Sequence, residues 1–278
     1  MRKQKDKKMK AKKSLGQNFL KSRAVLGMIL RSADVVEGDT VLEIGPGKGV
    51  LTAELLGAVG KKGKVIAVEK DCRMIDFLKE KFAKEIKSEK LILVHDDILN
   101  FDIQNYISHT TPYTLVANIP YYITGQIFKK FLQSEKQPER MVLMVQKEVA
   151  KRIIAQDKKE SILSISVKVF GTPKYIQTVP ARCFSPAPKV DSAILLIENI
   201  HNPFLSRAGP RTKIYSCPGP DLGQEFFEIL KKAFSSKRKL LKNNLSCDDA
   251  LLKKCGISPN ARAENLSVEN WMCLYKKQ

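Results

Sequence analysis

The stretch that decides the fold spans residues 41–52 and has the sequence VLEIGPGKGVLT. It begins with a short apolar run that contains the acid Glu43, and it ends in a helical pattern of apolar residues. Between them lie glycines at three alternate positions, Gly45, Gly47 and Gly49. This order predicts a strand, a tight loop and a helix. Glycine lets the backbone turn sharply and lets a ligand approach closely. The loop is therefore a candidate ligand site at the carboxyl end of a parallel strand.

Two common phosphate-binding loops do not fit this stretch. A Walker loop needs a glycine where this chain has Leu42 and a Ser or Thr where it has Gly49. The dinucleotide pattern G-x-G-x-x-G is weakened because Val50 occupies the place of its third glycine. The pattern that remains, E-x-G-x-G-x-G, resembles the methyltransferase version of the fold, whose loop accommodates the amino-acid part of S-adenosylmethionine. A glycine loop that serves only as a turn is the simpler alternative.

Acids at the ends of the next two strands support the methyltransferase interpretation. Predicted strands at residues 64–68 and 91–94 alternate with helices, which indicates a parallel sheet. Glu69 ends the first of these strands, and a carboxylate there can accept hydrogen bonds from two vicinal ribose hydroxyls. Asp97 follows the second and is the candidate acceptor for the amine of a cofactor adenine. Its neighbour Asp96 is more simply a solvated turn residue.

A proline-stiffened motif follows the fourth strand, at Asn118-Ile119-Pro120-Tyr121-Tyr122. Because Pro120 fixes its own φ and restricts Ile119, the side-chain oxygen of Asn118 and the adjacent carbonyls take a fixed arrangement. Acceptors so placed can hold both hydrogens of a planar exocyclic amine. Tyr121 offers a ring on which a flipped base can stack. An ordinary turn is the alternative.

The second half of the chain contains a stiff loop and an ambiguous segment. Residues 161–170 fit either a strand or a buried helix by periodicity, whereas residues 175–179 and 190–197 are predicted to be paired strands. Between these strands, two prolines hold Phe184 in a position to contact the opposite face of the same base. A core phenylalanine is nearly as good an interpretation of Phe184.

The C-terminal part is rich in basic residues and predicts short helices. A Pro/Gly-rich connection at 201–223 leads to predicted helices at 224–234, 237–245, 248–255 and 268–275. Basic residues cluster at the start of the second helix, where they are candidates for contacting phosphate. These residues are Lys237, Arg238, Lys239 and Lys242. A merely solvated basic face is the alternative.

Composition and charge point to a polyanionic partner. The chain of 278 residues carries a net charge of +20, and residues 1–13 hold eight Lys or Arg against one Asp. Such an excess favours nucleic acid, because each neutralised phosphate releases counterions. The sequence contains no apolar run of membrane-spanning length and no secretory signal, which predicts a cytoplasmic protein. Its six cysteines include no C-x-x-C pair, so we expect free thiols and no metal site.

Taken together, the motifs resemble the small-subunit members, of the KsgA type, of the ribosomal RNA adenine N6,N6-dimethyltransferases. Eight ordered features carry the resemblance over nearly the whole chain: SLGQNFL, LEIGPGKGVLT, Glu69, Asp97, NIPYY, FSPAPKVDS, RKLLKNNL at 238–245 and RAENLS at 262–267. The resemblance implies an α/β fold: a Rossmann-like S-adenosylmethionine-dependent methyltransferase domain at 14–200 and a small helical, RNA-docking domain at 224–278. It also implies that residues 161–170 are helical.

The same resemblance implies roles for individual residues and partners. The implied cofactor-binding positions are Gln17, Asn18, Leu20, Gly45, Gly47, Glu69, Asp97, Ile98 and Asn118. The target base would lie among Asn118, Tyr121 and Phe184. The implied reaction methylates N6 of two adjacent adenines in small-subunit ribosomal RNA, within a precursor particle, and the enzyme would be a monomer. Rival readings are a large-subunit adenine methyltransferase of the macrolide-resistance type, a DNA adenine methyltransferase and a non-catalytic assembly factor.

Overall fold

The structure is a computed structural model that describes residues 11–12, 15–204 and 222–277. The expected basic arm at 1–13 lies outside the described residues except for its residues 11–12. Most of the expected connection at 201–223 also lies outside them. The division into a catalytic domain and a docking domain therefore stays a prediction.

Nine strands and eleven α-helices are found among the described residues. The strands are β1 Phe19–Leu20, β2 Thr40–Ile44, β3 Lys64–Glu69, β4 Leu91–His95, β5 Thr114–Asn118, β6 Arg140–Gln146, β7 Thr172–Val179, β8 Phe184–Ser185 and β9 Ser192–Glu198. The helices are α1 Arg23–Ala33, α2 Val50–Ala58, α3 Cys72–Lys81, α4 Ala83–Lys87, α5 Thr124–Leu132, α6 Lys147–Ile154, α7 Ile162–Lys168, α8 Leu222–Ala233, α9 Leu241–Leu245, α10 Asp249–Lys254 and α11 Val268–Lys277. None of these helices is long and apolar enough to cross a membrane.

Seven strands form one sheet in the order β4-β3-β2-β5-β6-β9-β7. The first five are parallel, whereas β9 runs antiparallel to both of its neighbours. The chain moves outward from β2 to β3 and β4, and then returns to the other side of β2 as β5. This reversal is the switch point at which open α/β sheets bind ligands. It places the glycine loop after β2 beside the motif that follows β5.

The alternation of side chains along the central strands builds two cores, one on each face of the sheet. Leu42 and Ile44 of β2 belong to one core, whereas Val41 belongs to the other. All five residues of β2 are buried, as expected for a parallel strand covered by helices on both faces. Helices α1, α2 and α3 pack into the second core, and helices α5, α6 and α7 pack into the first.

The C-terminal helices share the first of these cores. Phe204, before the undescribed segment, has ring contacts with Phe226 and Phe227 of α8 and with Tyr275 of α11. Phe170, after α7, contacts Phe204 and Phe227 in the same cluster. Aromatic pairs of this kind add stabilisation beyond their buried area, so α8 and α11 are fixed against the part of the chain that contains α7.

Three expectations from the sequence need correction or completion. Residues 161–170 contain a helix, α7, as the resemblance implies, and Ser161 caps it. The helix expected at 237–245 begins only at Leu241, because the Leu241 N–H donates to the carbonyl of Ala261 instead of starting an earlier helical turn. The expectation of free thiols is wrong for one pair, since a disulfide joins the residue after α10 to a residue of α11. Its two cysteines are Cys255 and Cys273.

The glycine loop is held against α3. Gly49 has φ of 67°, a left-handed conformation that L side chains rarely adopt, and it precedes α2. A Cβ added there would lie 2.5 Å from the Phe82 ring and 2.7 Å from a methyl carbon of Leu78. Only glycine therefore fits both the backbone conformation and the space between the loop and α3.

We predict that Gly49→Ala destabilises the protein by about 2 to 5 kcal/mol, the sum of left-handed strain and overpacking. Gly57→Ala is the matched control, because a Cβ at Gly57 meets nothing within 4 Å and its φ is not positive. Alanine inside α2 should stabilise by up to about 1 kcal/mol. Urea denaturation of both variants measures the effect, and equal stability of the two variants would contradict this account of the loop.

Candidate active site

A cavity of about 450 Å³ lies where β2, β3, β4 and β5 end. All nine residues implied to bind a cofactor line it, together with Tyr121. They are Gln17, Asn18, Leu20, Gly45, Gly47, Glu69, Asp97, Ile98 and Asn118. The volume lies within the range of pockets that enclose a small organic ligand. The structure thus brings together positions that are up to about a hundred residues apart in sequence.

The glycine loop forms one wall of this cavity in a left-handed backbone conformation that glycine adopts readily. Gly45, Gly47 and Gly49 all have positive φ, which is why the loop needs glycine at alternate positions. Lys81 of α3 fixes the loop from outside, since its Nζ donates to the carbonyls of Lys48 at 2.8 Å and Gly49 at 3.2 Å. The loop is therefore held in shape before any ligand binds.

Glu69 at the end of β3 is buried and holds the loop with one oxygen. Its Oε2 accepts from the Gly47 N–H at 3.1 Å and its Oε1 from the Asp71 N–H at 2.8 Å. Burial raises the pKa of Glu69, and these two N–H groups oppose that rise. Each oxygen keeps a further lone pair, so the carboxylate can support the loop and still accept a hydroxyl from the cavity.

Asp97 is ionised and oriented by its neighbours. Its Oδ2 accepts from Lys70 Nζ at 2.6 Å, and its Oδ1 from the Leu99 N–H at 3.1 Å. The hydrogen bond from Lys70 is the main cause that lowers the pKa of Asp97. Ile98, which follows Asp97, is buried and presents an apolar surface to the same cavity.

Glu43 is a buried carboxyl at the base of the cavity. It is 1% exposed, and its Oε2 has no hydrogen-bond partner among the described residues. Burial raises the pKa of Glu43 to about 8, and the nearby charge of Glu69 adds to the rise. Burial therefore favours the protonated form of Glu43 at neutral pH.

The N-terminal segment covers the cavity and is tied down by Asp71. Gln17 Nε2 donates to Asp71 Oδ2 at 2.9 Å, and Gln17 Oε1 accepts from the Lys12 N–H at 2.8 Å. Asp71 also accepts from Arg73, which is the main cause that lowers the pKa of Asp71. β1 pairs antiparallel with β8. Gln17 therefore lines the cavity with its side chain already engaged.

Asn118, the last residue of β5, is oriented by the N-terminal segment. Its Nδ2 donates to the carbonyl oxygen of Asn18 at 3.1 Å. A primary amide has two donors on nitrogen and acceptor capacity only on oxygen. The hydrogen bond to Asn18 fixes the direction in which the amide faces. Asn118 Oδ1 accepts no hydrogen bond from the described residues. An acceptor oxygen is thus available at the cavity.

The two aromatic residues expected around the base lie in different environments. Tyr121 lines the cavity, is partly exposed and shares a 2.7 Å hydrogen bond with Ser192 through its hydroxyl. Phe184 is 1% exposed and belongs to the second core, where it pairs with Leu20. The structure does not bring Phe184 to the cavity, and the core interpretation is the one it supports.

The basic residues of the C-terminal part precede their helix rather than begin it. Lys237, Arg238 and Lys239 are exposed in a turn before α9, which is a correction to their expected position within a helix. Lys242 lies in α9 and forms an ion pair of 3.1 Å with Asp249. None of the ion pairs found among the described residues involves Lys237, Arg238 or Lys239.

Several residues that shape the cavity were not singled out from the sequence. Lys81 holds the glycine loop, and Lys70 holds Asp97. Asp71 holds the N-terminal segment. The sequence carries one signal for Asp71, which stands directly before a helical pattern as an N-cap. The contacts of Lys81 and Lys70 depend on how α3 and β4 lie beside β2 and β3, and no local sequence pattern predicts these contacts.

The polar lining of the cavity contains neither a histidine nor a cluster of possible metal ligands among the described residues. No group of three or more His, Cys, Asp or Glu side chains among the described residues could hold a metal ion. The chain's histidines, His95, His109 and His201, are all described and none lines the cavity. Its polar groups are carboxylates, an amide, lysines and main-chain groups.

Comparison with known proteins agrees with this arrangement. The sequence matches the family model described as "Ribosomal RNA adenine dimethylase" over residues 8–277. A ribosomal RNA small subunit methyltransferase A from Dehalococcoides mccartyi is 42% identical over 276 residues, which are 96% of this chain and 88% of the relative. The protein of the same name from Fusobacterium nucleatum is 38% identical over 276 residues, 96% of this chain and 97% of the relative.

Solved structures share the fold. A dimethyladenosine transferase from Plasmodium falciparum has a TM-score of 0.71 at 26% identity, covering 92% of this chain and 95% of that one. The 23S rRNA methyltransferase ErmE has a TM-score of 0.69 at 24% identity, covering 93% and 98%, a likeness of fold alone. Because the family model and the relatives both span nearly the whole sequence, the chain belongs to the ribosomal RNA adenine dimethylase family.

Proposed function

We propose that this protein transfers methyl groups from S-adenosylmethionine to N6 of two adjacent adenines in small-subunit ribosomal RNA, giving N6,N6-dimethyladenosine during small-subunit biogenesis. Relatives named small subunit methyltransferase support this choice of RNA. The single observation that carries the mechanism is the oriented Asn118 amide, whose nitrogen is bonded to Asn18 and whose oxygen is available. The substrate form would be RNA in a precursor particle, bound by a monomer of the enzyme in the cytoplasm.

The methyltransferase fold and the family imply use of S-adenosylmethionine, and the cavity suits that molecule chemically. The lining includes four carboxyl groups, and they come from the ends of three neighbouring strands. They are Glu43, Glu69, Asp96 and Asp97. Acidic groups favour a ligand that carries positive charge and hydroxyl donors. Glu43 Oε2 has no hydrogen-bond partner among the described residues, and a positively charged ligand beside it would favour the ionised form of Glu43.

We assign the parts of the cavity to parts of that molecule. Glu69 would accept the ribose hydroxyls, and Asp97 the amine of the cofactor adenine, beside the apolar surface of Ile98. The glycine loop, with the segment Gln17 to Leu20, would enclose the amino-acid part. When bound, S-adenosylmethionine supplies an electrophilic methyl group on sulfur.

Asn118 would activate the target amine by hydrogen bonding alone. The adenine amine is a weak nucleophile because its lone pair is delocalised into the ring. Transfer would form a bond from the amine nitrogen to the methyl carbon while the carbon–sulfur bond breaks, with the electron pair leaving on S-adenosylhomocysteine and one amine proton released to solvent. If Asn118 Oδ1 and the carbonyl of Ile119 accept the two hydrogens of the amine, its nitrogen becomes more tetrahedral and its lone pair more available. This is positioning and electrostatic stabilisation rather than acid–base catalysis, in agreement with a cavity that no histidine lines. Tyr121 would stack on the base, while Phe184 would support the wall from the core.

A second surface would contact the RNA away from the cavity. Lys237 lines a groove of about 1390 Å³ between the α5–α7 side of the catalytic part and α8. Lys151 and Arg152 of α6 line it too, as does Lys231 of α8. The lining also contains five acids: Glu160 and Glu264 are paired with Lys168 and Lys159, and the other three are Glu148, Asp157 and Glu228. We therefore propose that the turn containing Lys237, Arg238 and Lys239 makes the main phosphate contacts, beside the basic residues of this groove and with Lys242 at the edge.

The proposed substrate is tested by transfer of a labelled methyl group. We expect label in small-subunit particles that lack the modification and none in large-subunit RNA or DNA. The product nucleoside should be N6,N6-dimethyladenosine. Label in large-subunit RNA alone would favour the macrolide-resistance type of activity, and no label in any substrate would favour a non-catalytic assembly factor.

For Asn118→Ala, we expect methyl transfer to fall about 10²- to 10³-fold, the usual effect of removing one positioned hydrogen-bonding group. RNA affinity, measured by filter binding, should change little because the amide contributes one contact among many. Asn105→Ala is the matched control, since Asn105 is exposed and does not line the cavity. Full activity of Asn118→Ala would refute the amine-acceptor role.

For Glu43→Gln, we expect a flatter dependence of stability on pH. The folded-state pKa of about 8 exceeds the ordinary value of 4.5, so between these values the folded protein retains a proton that the unfolded chain loses. The free energy of unfolding of the wild type should therefore fall as pH rises through this window. Urea denaturation at several pH values between about 5 and 8 measures the slope. Glu54→Gln, on the exposed side of α2, should keep the wild-type slope, and an unchanged slope in Glu43→Gln would contradict the assignment.

A further inference from the structure

Tyr122 is exposed in a way that folding does not explain. It is 65% exposed and is the one exposed aromatic side chain within residues 11–12, 15–204 and 222–277. Burial of an aromatic ring is a large favourable contribution to folding, so an exposed ring held at a cavity mouth suggests contact with a ligand.

The ring is held by rigid neighbours. The main chain makes a tight turn at residues 121–123, closed by a 3.2 Å hydrogen bond from the Ile123 N–H to the Pro120 carbonyl. A Cβ added at Gly16 would lie 3.5 Å from Tyr122 Cε1 and 3.3 Å from Pro120 Cβ. Gly16 also has φ of 61°. The N-terminal segment therefore lies directly against the ring, which limits its motion and lowers the entropy cost of stacking on it.

The position of Tyr122 differs from that of Tyr121. Tyr121 is only partly exposed, and its hydroxyl bonds to Ser192 inside the fold. Tyr122 lines the mouth of the same cavity, and Lys70 lines that cavity too. The two consecutive rings thus occupy an inner and an outer place along one path into the cavity.

We propose that Tyr122 is a stacking platform for the unpaired nucleobase next to the adenine that enters the cavity. This inference rests on the proposed function. An adenine that leaves its stack deprives the adjacent base of a stacking partner, and an exposed aromatic ring replaces that partner. Every base has a π-face, so one ring serves without reading sequence.

The test compares three substitutions at Tyr122 with a control. Tyr122→Ala should lower affinity for a single-stranded RNA fragment carrying the target adenine roughly 5- to 150-fold, the range that one base–aromatic stack contributes. Tyr122→Phe should retain wild-type affinity within about twofold, because the π-face remains. Tyr122→Leu keeps apolar bulk without that face and should behave like alanine. Val36→Ala is the matched control, because Val36 is 59% exposed and does not line the cavity.

A fluorescent base distinguishes stacking from general loss of binding. With 2-aminopurine beside the target adenine, wild type and Tyr122→Phe should quench its fluorescence at saturation, and Tyr122→Ala and Tyr122→Leu should not. Affinity for S-adenosylhomocysteine, measured by calorimetry, should be the same in all variants.

Unchanged RNA affinity and quenching in Tyr122→Leu would overturn the inference, even if Tyr122→Ala proved poorly folded. Methyl transfer by the wild type with no effect of these substitutions would overturn this inference alone, whereas absence of RNA binding by the wild type would overturn the proposed function as well.

Discussion

The hydrogen bond from Asn118 Nδ2 to the carbonyl oxygen of Asn18 is the interaction on which the site depends. It joins the end of β5 to the N-terminal segment across the cavity, and it commits the amide nitrogen so that the amide oxygen can accept. The segment is fixed independently, by Gln17 on Asp71 and by pairing of β1 with β8. The N-terminal segment, about a hundred residues away in sequence, thus orients the Asn118 side chain at the centre of the sheet.

Elsewhere in the site, contacts within the protein also orient the groups that face the cavity. Glu69 supports the glycine loop with one hydrogen bond to Gly47 while keeping acceptor capacity toward the cavity. Lys70 keeps Asp97 ionised, and Lys81 holds the loop from outside. Because these groups are ordered by contacts within the protein, little reorganisation is required when substrates arrive, which is the basis of electrostatic preorganisation. The family supplies the reaction, and these contacts explain how this chain would carry it out.

The sequence predicts the parts of this site that depend on local pattern. The glycine loop, Glu69, Asp97 and Asn118 each stand at a strand end, and parallel strands bring their carboxyl ends to one edge. The sequence left open whether Phe184 lies in the core or beside the base, and the pairing of β8 with β1 buries it. Predictions failed where tertiary contacts decide. Helix α9 starts late because Leu241 bonds to Ala261. The disulfide joins cysteines 18 residues apart, which only the arrangement of α10 and α11 brings together. Tyr121 and Tyr122 are the same residue type at consecutive positions, and only their different burial separates the roles that we propose for them.

The most direct test of the central claim is a crystal structure of the protein with S-adenosylhomocysteine and an RNA fragment that contains the target adenine. The account predicts that the adenine N6 lies within about 3.2 Å of Asn118 Oδ1, with Asn118 Nδ2 still bonded to the Asn18 carbonyl oxygen. An adenine bound in the cavity with its N6 out of hydrogen-bonding reach of that oxygen, or with the amide turned so that its nitrogen faces the base, would contradict it.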